Sequence, residues 1–276
     1  MNIKVPILFL CLLFSGVLFS QDTALFEWVE LRTYPLDEEE VWTIYRLENV
    51  YVSDKGVINK YDTSGVLKFS QSIKSLGKME DLIPINAMKL IHFSEEQQTL
   101  CYLDNTLTPY DDCIELSDQE VINAKLISSS DRQEMVWVFD DINSTLLLLS
   151  TRDNGQSQNQ MVANLKGIVG IDSVSQILER SSRLYLLKEG KGVYIFDLYG
   201  SLIEYREFDG AKGVDAFFEA IIVLTDSKLF ICSLTNDTNK VVPLPQDGIS
   251  EFKYFNGHFF FRTLGFVHKF RLELTK

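Results

Sequence analysis

The chain has 276 residues, of which 46% are hydrophobic and 12% aromatic, enough to fill a substantial buried core. A charged fraction of 24% is not the composition of a disordered polymer. With 39 acidic against 26 basic side chains the formal charge is −13, which makes nucleic-acid phosphate a poor partner for the average surface.

The first residues, MNIKVPILFLCLLFSGVLFSQD, set Lys4 before an apolar run from Val5 to Phe19 and then the small Ser20. This order predicts a secretory leader over 1–20, too short for a comfortable transmembrane helix, with cleavage before Gln21. Leu18 stands where a small residue is preferred, so a retained N-terminal anchor is the alternative. Cys11 lies inside the apolar run behind Leu10, which gives no sign of a lipid-modified N-terminus. Residues 21–276 are expected to form one exported domain, periplasmic or associated with the outer envelope, with no further membrane span.

Strand patterns dominate the rest of the chain. NVYVSDKGVINKYDTSGVLKFS, residues 49–70, reads as three short strands that cannot bury a core alone. Similar runs recur as TLCYLD, MVWVFD, RLYLL, AIIVLTD and HFFFR, separated by Gly, Asp, Asn, Ser and Lys. Aligned on Asp54, Asp104, Asp140, Lys188, Asp226 and Thr263, they fall 50, 36, 48, 38 and 37 residues apart, the range of a four-stranded propeller blade. The segments after the first and fourth runs superpose Tyr61 on Phe196, Asp62 on Asp197, Gly65 on Gly200 and Leu67 on Leu202. Both read as a strand, an aromatic-Asp-x-x-Gly turn and a returning strand. Asp opens such a turn by accepting backbone N–H groups, and Gly supplies its positive φ. Nothing beyond the leader has sustained helical periodicity; SVSQILERS at 173–181 comes nearest and is short.

The last unit is truncated at the C-terminus, while TALFEWVELRTYPL near the N-terminus is a strand without a blade. A closed ring satisfies both if the N-terminal strand completes the last sheet and covers its edge. The expected fold is therefore all-β: a six-bladed β-propeller closed by its N-terminal strand. On the aromatic-Asp-x-x-Gly pattern at 50–68 and 193–205 the chain resembles propellers of the NHL or YncE-like kind. The stretches SLGKMEDLIPINAMKLIHFSEEQQTLCYLDNTLT and MVWVFDD are similar to ones in exported envelope proteins of Bacteroidota.

Three cysteines lie beyond the leader: Cys101, Cys113 and Cys232. An exported chain can form a disulfide, and an odd number leaves a free thiol. A two-residue turn at Asn105 and Thr106 would set Cys101 opposite Tyr110, so a bridge to Cys113 demands a longer loop around 106–108. Cys232, in KLFICSL, reads as a small buried hydrophobe.

Catalytic signatures are scarce. The chain has no H-E-x-x-H, no G-x-S-x-G and no closely spaced Cys or His cluster. His92, His258 and His268 sit among apolar strand residues and read as structural. The candidate ligand-binding residues are Asp54, Asp104, Asp140 and Asp226, which equivalent positions in a ring would bring to one face. Leaning toward the axis, they would call for a divalent cation such as Ca²⁺ or Mg²⁺; pointing to water, they are turn residues. Lys188 and Thr263 break this set. DEEE at 37–40 reads as an acidic solvated loop that could face a basic partner, SQNQ as a polar hairpin tip, and YFNGHFFFRTLGF at 254–266 as strand residues buried between sheets.

These features point to a non-enzymatic binding or scaffold module of the cell envelope that presents propeller loops to a protein or small ligand, with no resident cofactor. The alternative is a metal-dependent lactonase or lyase, which requires three or four oxygen ligands converging near the axis.

Overall fold

The computed structural model describes residues 26–37, 40–45, 48–152 and 158–274. The leader at 1–20, residues 38 and 39 of the acidic loop and residues 153–157 of the polar hairpin lie outside the described residues, while Gln158–Gln160 of the SQNQ stretch stand in a strand rather than at a tip.

Six antiparallel four-stranded sheets form the fold. The first comprises β2 (Trp42–Ile44), β3 (Val50–Asp54), β4 (Val57–Tyr61) and β5 (Leu67–Ser72). The second comprises β6 (Asp81–Asn86), β7 (Lys89–Ser94), β8 (Thr99–Asp104) and β9 (Pro109–Glu115). The third comprises β10 (Ala124–Ser129), β11 (Met135–Asp140), β12 (Thr145–Ser150) and β13 (Gln158–Val162). The fourth comprises β14 (Gln176–Arg180), β15 (Arg183–Lys188), β16 (Gly192–Asp197) and β17 (Leu202–Glu207). The fifth comprises β18 (Gly213–Phe217), β19 (Ala220–Leu224), β20 (Lys228–Ser233) and β21 (Asn239–Pro243). The sixth joins β22 (Glu251–Phe255), β23 (His258–Thr263) and β24 (Phe266–Leu274) to β1 (Phe26–Pro35). The innermost strands β2, β6, β10, β14, β18 and β22 neighbour one another around the ring and surround a central channel. Among the described residues no helix is long and apolar enough to cross a membrane.

Ring closure occurs as expected. β1 runs antiparallel to β24 from Phe26↔Leu274 to Pro35↔Phe266, with one irregularity between Glu30 and Arg32. Trp28 meets Phe259 and Phe261 edge-on, at centroid distances of 5.0 and 5.4 Å, and donates its indole N–H to Pro243 O at 2.7 Å. Tyr34, buried on the seam toward the first blade, packs with Trp42, Val50 and Phe260. The closing strand thus contributes to the core on both flanks of its blade.

The second strands explain why the apolar runs stand out in the sequence. MVWVFD and AIIVL lie between two neighbouring blades, so both faces are covered and successive residues are all buried or nearly so. Outer strands bury much less, as in LKFSQS and LIEYRE. One run sits a strand later than its alignment with the others implies: TLCYLD is the third strand of the second blade, whose second strand is KLIHFS. SVSQILERS supplies strand β14 rather than a helix. The only α-helix among the described residues is one short turn, Leu165–Val169, between the third and fourth blades.

Cys101 and Cys113 are bridged. The hairpin between β8 and β9 has a three-residue loop, since Asp104 N bonds Thr108 O and Leu107 N bonds Asp104 O, both at 3.0 Å. That register pairs Tyr102 with Tyr110, and an irregularity beyond it, where Asp111 has φ 59°, carries Cys113 across to Cys101. Of the two arrangements the sequence left open, the longer loop forms and the two-residue turn at Asn105 and Thr106 does not. Converting both cysteines to Ala should cost about 2–4 kcal/mol, read as a lower urea midpoint, and reductant should shift the parent protein similarly while leaving the variant unmoved. Cys232 is free and buried, as its apolar surroundings implied.

Candidate functional site

The aromatic-Asp-x-x-Gly turn forms as the sequence indicates. Asp62 Oδ1 accepts the N–H groups of Ser64 and Val66, both at 2.9 Å, while Gly65 adopts φ 77°. Asp197 repeats this with Tyr199 and Ser201 at 2.9 and 2.8 Å, with Gly200 at φ 90°. These bonds hold both carboxyls below their usual range, the largest contributions being the amides of Val66 and Ser201.

Asp104 belongs to this same class. Its Oδ1 accepts from Thr106 N and Thr108 N at 2.8 and 2.9 Å, and Leu107, with φ 70° and a buried side chain, takes the place of the glycine. Asp104 therefore sits in the turn between third and fourth strands. Asp54 and Asp140 end second strands, and Asp226 comes just after one, so all three lie at the opposite end of the sheets. The ring that would bring the four carboxylates together is not formed. Among the described residues, no group of three or more His, Cys, Asp or Glu side chains is placed to hold a metal ion.

Besides Asp104, two of these carboxylates have a local employment. Asp140, 1% exposed, accepts from Ile122 N at 2.9 Å, Ile142 N at 3.1 Å and Asn143 Nδ2 at 2.9 Å, joining its turn to the chain that enters β10. Asp226 pairs with Lys212 at 2.5 Å in solvent. Asp54 is exposed, and the turn after it is held instead by Glu40, which accepts from Lys55 N at 2.7 Å and from the Ser53 hydroxyl. The acidic loop is thus partly structural. Asp140→Ala should cost about 1–3 kcal/mol by removing the buried acceptor that ties its turn to the chain entering β10, while Asp54→Ala should stay within about 0.5 kcal/mol; paired thermal melts measure both.

The histidines divide. His92 is fully buried between the first two blades, neither ring nitrogen has a hydrogen-bond partner among the described residues, and burial pulls its pKa down to about 4. It stays neutral and lies outside the channel lining. His258 faces Glu48 at 3.3 Å, across the seam between the sixth and first blades. His268 stands between Thr263 Oγ1 at 3.0 Å and Glu30 Oε1 at 2.7 Å. Hydroxyl, imidazole and carboxylate stand in the order of a hydrolase triad, but none of the three lines the channel. They fasten β1 to β24 and β23, and His268 holds the Glu30 carboxyl below its usual range.

The channel encloses about 410 Å³ and concentrates charges that the sequence alone did not single out. Asp81 opens β6, Arg180 ends β14, Asp215 lies in β18 and Lys253 in β22. Asp215 Oδ2 accepts Tyr254 N and its Oδ1 accepts Ala216 N, both at 2.7 Å, so it clamps the fifth blade to the sixth. Gln176 plays a related part, exchanging two hydrogen bonds with the backbone of Val214 at 2.8 and 2.9 Å. Such side chains occupy backbone groups that the inner edge of an innermost strand leaves open. Asp81 Oδ1 accepts Leu82 N at 2.8 Å, and the residue is partly exposed where it lines the channel. Burial raises both carboxyls above the usual range; Arg180 opposes this at Asp215, and Lys253 opposes it at both. Lys253 donates to Trp42 O at 3.2 Å and Thr43 Oγ1 at 3.3 Å, with its ammonium 5.1 Å from the Trp42 ring centre.

Comparison with known proteins agrees on architecture. A streptogramin B lyase superposes with a TM-score of 0.62 at 11% identity, over 91% of this chain and 98% of that one. Virginiamycin B lyase from Staphylococcus aureus gives 0.58 at 9%, over 91% and 100%. The Pan2 WD40 domain of Neurospora crassa gives 0.58 at 10%, over 83% and 73%. At these identities the likeness is one of fold: the chain is a β-propeller of six blades. No family model and no curated protein matches the sequence.

Proposed function

We propose that the chain is a non-enzymatic binding module of the cell envelope, exported through its leader, whose rigid ring offers its channel and loops to a protein or small ligand. The observation that carries this reading is the channel itself, an open-ended space lined by all six blades in which both signs of charge are fixed on rigid strands. Such a surface is built to recognise. The metal-dependent alternative needs convergent oxygens, and the four sequence-selected aspartates are instead divided between the two ends of the sheets, with Asp104, Asp140 and Asp226 occupied as turn and ion-pair residues and Asp54 exposed. The Cys101–Cys113 bridge supports passage through an oxidising compartment.

The test is recovery of the native protein from intact envelopes after crosslinking, with N-terminal sequencing and metal analysis after dialysis. A mature start at Gln21 with a stoichiometric protein partner is expected. Tightly retained divalent metal without a partner would favour the enzyme, and an intact Met1 would show that the leader is kept as an anchor.

A further inference from the structure

Nine charged residues line the channel, and five of them lie in innermost strands: Asp81, Arg180, Asp215 and Lys253, which alternate in sign from the second to the sixth blade, and Glu251, whose carboxylate is taken by Arg262 and the Trp42 indole. The balance is local, because the chain as a whole carries −13. Their pairing is incomplete in a specific way. Asp215 is committed to two backbone amides, and the Arg180 guanidinium approaches it only to 3.9 Å, beyond hydrogen-bond range. Arg180 makes no hydrogen bond with any described residue, so its planar fork of five donors opens on the cavity. Lys253 uses two acceptors and has a third N–H to give. At the other pole, Asp81 accepts one amide, leaving one of its oxygens without a hydrogen-bond donor among the described residues.

An unfilled guanidinium fork and an under-used carboxylate lining one channel are complementary to a molecule carrying both charges. We propose that the channel binds a small zwitterion of amino-acid or short-peptide size, its carboxylate on Arg180 with help from Lys253 and its ammonium on Asp81. The volume of about 410 Å³ admits such a ligand, and the bidentate geometry of Arg favours a planar carboxylate. The strands carrying the charged groups are anchored across blade seams, so the site is preorganised.

This inference rests on the reading of the chain as a binding module, and one experiment separates the two. Isothermal titration of the mature protein with L-alanyl-L-alanine, run beside sodium acetate and methylammonium chloride, is followed by NMR of the same mixture. Saturable binding of the dipeptide is expected, at least tenfold tighter than either single-charge probe, with the dipeptide chemically unchanged. Arg180→Met and Asp81→Asn should each weaken it at least tenfold while keeping the parent's circular dichroism and melting profile.

Absence of saturable dipeptide binding, acetate binding as tightly as the dipeptide, or affinity unchanged in the folded Asp81→Asn protein would overturn the zwitterion site. Conversion of the dipeptide would instead overturn the non-enzymatic reading. Should Arg180→Met fail to fold, Arg180→Lys serves in its place: it keeps the charge but loses the fork, and undiminished affinity there also counts against the proposal.

Discussion

Replacing Trp137 with Ala should lower the unfolding free energy by about 3–5 kcal/mol, the largest single-residue effect expected in this protein. Trp137 is fully buried in the cluster between the third and fourth blades, with Leu148, Leu184 and Phe196. Its indole N–H donates to Glu179 Oε2 at 2.6 Å, an oxygen that also accepts from the Ser130 hydroxyl at 2.5 Å. Glu179 is itself 3% exposed, with its second oxygen unpartnered among the described residues. Truncating the ring thus opens a cavity and removes a donor from a buried acid.

The two contributions can be separated. Trp137→Phe keeps most of the apolar bulk and should cost about 1–3 kcal/mol through the lost donor. Adding Glu179→Met removes the group that needs the donor, and the double variant should recover part of that cost. Urea titrations of the parent, Trp137→Phe, Glu179→Met and the double variant close the cycle. Equal stability of Trp137→Phe and the parent would show that this bond adds nothing net.

The interface around Trp137 is legible as an apolar run because every residue of MVWVFD is buried; nothing local discloses Glu179 as its partner. The same divide governs the rest of the molecule. Turns made of Asp and Gly can be read because their chemistry lies within five residues, as at 62–66 and 197–201. The homologous turn at Asp104 escapes because Leu107 adopts the left-handed conformation, and with no glycine to mark it Asp104 groups with residues at the other end of the sheets. Cys113 escapes for a related reason. A three-residue loop and the irregularity at Asp111 change which residue faces Cys101, and strand alternation carries no sign of either. The channel charges are the least visible, since Asp81, Arg180, Asp215 and Lys253 come from four blades and only ring closure gathers them. In a repeat fold, local pattern specifies the unit, whereas the axial site depends on positions that differ between units.

Because that gathering depends on closure, removal of β1 should have the second large effect. A chain beginning at Leu36 loses the whole ladder to β24, the aromatic packing of Trp28 and the buried Tyr34. It also loses Glu30, and with it the carboxylate that His268 holds, and exposes an edge carrying Phe270 and Val267. These are several losses of about 1–4 kcal/mol each, together comparable to the roughly 5–15 kcal/mol that keeps a typical protein folded. The truncated chain should therefore lack a cooperative thermal transition and near-ultraviolet circular dichroism, and should associate on concentration. A synthetic peptide of residues 26–35, added in excess before refolding, should restore the transition by occupying the vacant edge, and a Trp28→Ala, Tyr34→Ala peptide should not. A truncated chain that melts cooperatively like the parent would show that three strands suffice for the sixth blade. Rescue by the doubly substituted peptide would mean that backbone pairing alone closes the ring. In either case the aromatic contacts of β1 would be shown not to be what holds the sixth blade against its neighbours.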